Sequence, residues 1–122
     1  MSQFLRHDAP AIAYAVVIFI VSSLPSLALP DIGFSFEDKL AHLVEFGVFG
    51  FLLVRSLGSR LGYGFRGLGI VAIIGTGYAA SDEWHQSFVP GREADVTDFF
   101  ADVMGILLAL ALFWLYKRTN QP

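Results

Sequence analysis

The chain has 122 residues, of which 55% are hydrophobic, with a mean hydropathy of +0.60 and a net charge of −3. The apolar share exceeds the ~45–50% of ordinary soluble folds, and the length allows one domain. With no cysteine there is no disulfide framework, thiolate metal site or cysteine nucleophile, and the eight scattered basic residues leave no nucleic-acid footprint.

A spanning helix needs about 20 mostly apolar residues. The first such segment runs over residues 10–29, with Pro10 suited to a first helical turn. It has an Arg6 start and a Ser26-Leu27-Ala28 tail like those of a signal peptide, but its apolar stretch is long for one, so retention is expected. Pro30, Asp31 and Gly33 mark the first loop. The second segment spans 38–57, with Asp38 as its cap and Phe36 just outside. Gly58 to Gly64 form the second loop, and the third segment spans 65–86. Pro90-Gly91 mark the third loop, and the fourth segment spans 96–116. Trp114 and Tyr116 suit an interfacial aromatic belt.

The expected fold is therefore all-α, a four-helix transmembrane bundle formed by residues 1–122 as one domain. Arg6, Arg55, Arg60, Arg66, Lys117 and Arg118, six of the eight basic residues, fall on one side of it. The positive-inside rule makes that side cytoplasmic, with both termini. Of the eleven acids only Asp8 lies there, so a polar pocket is expected to open at the outer face. The glycines within the segments, among them Gly47, Gly50, Gly75 and Gly105, read as close-packing positions. A weak repeat at an offset of 60 residues pairs Arg6 with Arg66, Pro30 with Pro90, Asp38 with Asp98, and His42 with Asp102. Chance or shared helix-start chemistry explains it as well as parallel repeats do.

The most informative feature is a set of ionisable residues at the ends of these segments. Asp38, Lys39, His42 and Glu45 open the second; Asp82, Glu83, His85 and Gln86 close the third; Asp95, Asp98 and Asp102 open the fourth. Each charge at membrane depth costs about 2.5–3.5 kcal/mol on insertion scales, so such groups face a bundle interior or a wet cavity. At 100° per residue, Asp38, His42 and Glu45 share one stripe of their helix. Plainer readings exist for some of these residues. Asp38 and Asp95 suit helix caps, His85 an interfacial position, and Glu93 a solvated loop. The others also suit polar contacts between helices, although such contacts rarely need so many ionisable groups on one side.

The motifs Ser22-Ser23-Leu24-Pro25, Asp38-Lys39-x-x-His42 with Glu45-Phe46, Asp82-Glu83-x-x-Gln86-x-Phe88-Val89-Pro90-Gly91-Arg92, and Asp98 with Gly105 run through most of the chain. In combination they resemble the VanZ-like family of bacterial membrane proteins. Many members carry asparagine where this chain has Asp102, so an extra carboxylate is a departure here. The resemblance implies a multi-pass protein of the bacterial cytoplasmic membrane and an envelope role. In the family's namesake that role is reduced susceptibility to the glycopeptide teicoplanin. It implies no particular reaction.

Three functions remain open on the residues. The first is an enzyme acting on a lipid-linked or phosphate-bearing head group. In it His42 is the general acid/base, Glu45 orients it, and Asp82, Glu83 and Asp98 serve as base or ligands. Lys39, Gln86, Arg92, Asp38 and Asp102 would bind substrate, with Arg92 gripping phosphate. An acidic pocket of this kind would need a divalent cation, Mg²⁺, Mn²⁺ or Ca²⁺, with His42 as a nitrogen ligand, although no histidine-pair spacing marks a metal site. The second is a non-enzymatic binding or transport module for a glycopeptide or other cationic ligand, expected to be a homodimer because four short helices make a small transporter. The third is a structural accessory protein of the bilayer. Whatever the function, His42, Glu45, Asp82, Glu83, Arg92 and Asp98 are expected to converge, with Arg92 pairing with at least one of the acids.

Overall fold

The computed structural model describes residues 1–25 and 36–122. The first loop, the Ser26-Leu27-Ala28 tail and the Pro30 position of the repeat lie outside the described residues. The described residues form four α-helices and no strand: α1 (Ala9–Ser23), α2 (Phe36–Leu61), α3 (Phe65–Gln86) and α4 (Val96–Thr119), with a π-helical turn at Phe4–Asp8 leading into α1. Three of them are long and apolar enough to cross a membrane: α1 with its leading turn, α2 and α4. Helix α3 matches them in length, but its last turn carries Asp82, Glu83, His85 and Gln86.

Several boundaries differ from expectation. Helix α1 stops at Ser23, not Leu29, because Leu24 precedes Pro25 and takes extended backbone (φ −72°, ψ 131°), as a residue before proline must. Phe36 is already helical, so Asp38 sits inside the first turn of α2 and does not cap it. Helix α2 runs on past Leu57 to Leu61, and Gly58 packs on the Tyr63 ring without breaking it. The turn is then only Gly62–Gly64. It is made by Gly62 at φ 83° and by the bare Cα of Gly67, where a Cβ would collide with the Gly62 carbonyl. Asp95 does cap α4, accepting from the Thr97 amide at 2.8 Å. Helix α4 continues to Thr119, past the expected Tyr116.

Helices α2 and α4 make the tightest pair. Gly47 and Gly105 face each other, and a Cβ on Gly105 would overlap the Leu43 carbonyl and the Gly47 nitrogen. Such small residues let helix backbones approach where lipid offers no hydrophobic drive. Phe46, Phe49, Leu53, Val54, Val71, Ala79, Ile106, Leu110 and Ile18 fill the core. Helix α1 packs on α2 and α3 and does not reach α4. Tyr14 ties it to the Glu45 carbonyl at 3.0 Å, and the Tyr78 hydroxyl reaches the Ala15 carbonyl. Ile12, Val16, Phe19, Ile73, Leu107 and Leu112 point outward. Exposed aliphatic faces on every side suit a lipid solvent.

Candidate functional site

The bundle has two chemically distinct ends. At one lie the termini and the α2–α3 turn; at the other, the polar end, the first turns of α2 and α4 meet the last turn of α3. Parallel α2 and α4, held close by Gly47 and Gly105, bring two polar stripes face to face.

His42 lies at the centre. Its Nδ1 is 2.8 Å from Asp102 Oδ1, and its Nε2 is 3.6 Å from Asp98 Oδ2 and 4.0 Å from Asp38 Oδ1. Asp102 is fully buried. A neutral imidazole donating Nδ1–H to Asp102 leaves Nε2 as the proton acceptor. Lys39 Nζ donates to Asp98, to Asp95 at 3.0 Å and to Asp38 at 3.5 Å, so one ammonium crosses from α2 to the start of α4. Glu83 reaches in from α3, and its Oε2 accepts the Asp95 amide at 3.1 Å. Asp95 lies just outside the membrane-length helix. Its carboxyl is held well below the usual range, at about 2, by the Thr97 hydroxyl and amide and by Lys39.

The expected site residues therefore divide. Asp38, Lys39, His42, Glu83, Asp98 and Asp102 converge. Asp82 and Gln86 form a neighbouring buried pair, Gln86 Nε2 donating to Asp82 Oδ2 at 3.0 Å, and Ser22 of α1 donates to the same aspartate. Glu45 is half-buried and makes no side-chain hydrogen bond among the described residues. Asp102, not Glu45, orients His42, because it faces the ring across the helix pair while Glu45 lies one turn along the same helix. Among the described residues Arg92 pairs with no acid. Its Nε and Nη2 donate to the Leu24 and Val21 carbonyls at 2.9 and 3.2 Å, satisfying the open C-terminus of α1. His85 stacks on Phe19 and meets Ser23, away from the cluster.

Two features were not read from the sequence. Ser22 anchors Asp82, and the only sign of this was its place 60 residues earlier. At the terminal end Asp8 is buried and gripped by both Arg60 amines and by Ser56 Oγ at 2.6 Å. Its signal was a lone acid among six bases.

A groove of about 820 Å³ runs along the outer face of the α2–α4 pair. Leu43 and Gly105 line it near the polar end, next to His42 and one turn beyond Asp102; Arg55 and Lys117 line its far end. Between them its walls are apolar, with Val44, Val48, Phe51, Leu108 and Leu112.

A VanZ/LLP1 family model matches residues 10–117, and the chain belongs to that family. No curated protein and no solved structure matches it.

Proposed function

We propose that this VanZ/LLP1 protein is a multi-pass protein of the bacterial cytoplasmic membrane, in the cell envelope, whose outward polar end acts on a phosphate-bearing head group of a lipid-linked substrate. The observation that carries the reading is the His42–Asp102 pair, on the same helix pair as an apolar groove whose lining reaches Leu43 and Gly105 and stops short of the pair itself. A groove of this size and lining suits an acyl or polyprenyl chain. A chain lying in it would bring its head group to the first turns of α2 and α4.

In this reading Asp102 fixes the imidazole, and Nε2 takes the proton from an attacking water or hydroxyl and returns it to the leaving group. Asp98 and Asp38 flank that nitrogen and hold the developing imidazolium. Lys39 is the cation among these acids and the contact for phosphate; Arg92 has no such part, since α1 uses it. The six-to-two split of bases supports termini in the cytoplasm. An impermeant thiol reagent on intact cells should label Glu93→Cys and not Ser59→Cys, and the reverse pattern would overturn the orientation.

The test of function uses the purified chain in lipid nanodiscs supplied with polyprenyl phosphates, polyprenyl diphosphates and anionic phospholipids. Release of phosphate or head group is expected from the wild type and lost in folded His42→Gln. Turnover unchanged in that variant would refute the role of His42. A second reading, a module that binds or moves a cationic ligand such as a glycopeptide and contributes to resistance, draws on the excess of carboxylates over bases at this end. Saturable binding of such a ligand without turnover would favour it.

A further inference from the structure

We propose that His42, Glu83 and Asp102 hold a divalent first-row transition ion, Mn²⁺ or Zn²⁺, in the buried floor of the polar end. The three residues come from α2, α3 and α4, and each offers one ligand atom within 4.8 Å of the other two. Ligands bound at ~2.1 Å to one ion lie no more than ~4.2 Å apart, so the set would close on an ion by less than an ångström.

The second observation is independent of the clustering. Glu83 Oε1 and Asp102 Oδ2 are buried and, among the described residues, have no hydrogen-bond partner. The other oxygen of each is already engaged, by the Asp95 amide and by His42. Glu83 is 7% exposed and Asp102 is 0% exposed. A buried carboxylate oxygen without a partner carries its full desolvation cost, and native folds keep such atoms for a reason. A divalent ion supplies the missing partner to both at once. Two carboxylates, a neutral imidazole and one divalent cation also sum to zero charge, which a membrane interior favours.

The chemistry of the donors selects the ion. One nitrogen with two carboxylates suits Mn²⁺ or Zn²⁺, whereas Ca²⁺ wants six to eight oxygens and Mg²⁺ keeps most of its waters. Three protein ligands leave a coordination position open, as in catalytic sites. A second trio, Asp38, His42 and Asp98, is equally close. Lys39 already lies against Asp38 and Asp98, so a cation there would face an ammonium.

This inference uses the site of the proposed function but not its reaction. If the ion is present, His42 would be a ligand and not the free base, and the ion would supply an activated water in its open position. Ion binding is therefore measured without substrate, on the full chain in detergent with any purification tag removed. Wild type should remove one Mn²⁺ per chain from the free-ion EPR signal, show nitrogen coupling from the imidazole, release Mn²⁺ to Zn²⁺, and melt at a higher temperature with either ion. Glu83→Gln and Asp102→Asn should each weaken Mn²⁺ binding by about tenfold or more, since loss of groups merely behind the ligands already costs that much. Both should melt no lower than wild type without metal, because each removes a buried charge. Glu37→Gln and Glu93→Gln, at exposed acids of the same end, should bind as wild type does. Folded wild type that binds neither ion up to about 1 mM, the weak limit of specific cation sites, overturns the proposal. So does equal loss of binding in the exposed-acid controls, or bound Mn²⁺ without nitrogen coupling. Turnover without ion dependence would sink this inference alone, and ion binding without turnover would sink only the reaction.

Discussion

The two ends of this bundle handle buried carboxylates in opposite ways. At the terminal end one acid, Asp8, meets one Arg60 and one Ser56, and both of its oxygens are bonded. At the polar end five acids, Asp38, Glu83, Asp95, Asp98 and Asp102, crowd around Lys39 and His42, and buried Glu83 Oε1 and Asp102 Oδ2 have no partner among the described residues. A satisfied, neutral pair is what a fold needs to bring a helix start against a helix end. An unbalanced cluster costs stability, which is why the proposed function is placed there. The terminal clamp is thus the internal standard for a structural ion pair, and the polar end departs from it.

The largest effect should separate the ends by function. His42→Gln and Asp98→Asn should lower turnover by about 10²–10⁴-fold, the worth of a positioned acid/base group, with melting temperature unchanged or raised. Arg60→Gln should do the reverse: melting several degrees lower, because Asp8 stays buried without its partner, and activity per folded molecule unchanged. The check is thermal unfolding in detergent beside activity or cell phenotype for the same variants. If all of them lose function in proportion to lost folded protein, the two ends are alike and the polar cluster only holds helices together.

A smaller effect should couple the ends to the helix crossing. Gly105→Ala places a Cβ against the Leu43 carbonyl and the Gly47 nitrogen, backbone atoms that cannot rotate away. Overpacking of this kind costs about 1–3 kcal/mol. The crossing lies one turn from Asp102, so spreading it should also pull Asp102 from His42. Gly105→Ala should therefore lose both stability and activity, unlike either class above. Full activity with lowered melting would mean that the His42–Asp102 distance is unimportant. Gly69→Ala, at a glycine with open space around it, is the control and should change neither.

Much of this was legible in the sequence, and the reasons are physical. Four apolar stretches of membrane length, broken by glycine and proline, leave little but a helical bundle, and the acids at one set of ends foretell a polar cluster. Residues on one helix face follow from the 100° step, which groups Asp38 with His42. Pairing across helices does not follow from that step, and there the reading failed. The step pairs His42 with Glu45 on its own helix, whereas in the structure its partner is Asp102 from α4. The 60-residue offset held that pairing, since it aligns His42 with Asp102 and Ser22 with Asp82, but a handful of matched residues could not be told from chance. Arg92 departs from expectation for a different reason. Its guanidinium suits phosphate, yet the carbonyls left open where Pro25 ends α1 are just as good a partner, and they are near.

The smallest effect tests where the functional cluster stops. Asp95 belongs to the polar end by position, but its bonds are those of a helix cap: the Thr97 amide and hydroxyl, with Lys39 added. These hold its carboxyl at about 2, below its ordinary value near 3.9. A carboxyl depressed on folding contributes stability that is complete above its unfolded pKa and fades as pH falls toward the folded one. The α4 cap should therefore persist down to about pH 4 and be lost between about pH 4 and pH 2. Hydrogen exchange at the Thr97 amide reads this locally, apart from the titration of the other acids. Asp95→Asn keeps a good cap and removes the titration, so its exchange should be flat across that window, with stability at neutral pH changed by less than about 1 kcal/mol. Turnover should also be unchanged, because Lys39 retains Asp98. Loss of turnover as deep as that of His42→Gln would move Asp95 from the scaffold into the reacting cluster, and the boundary between the two kinds of carboxylate would have to be redrawn.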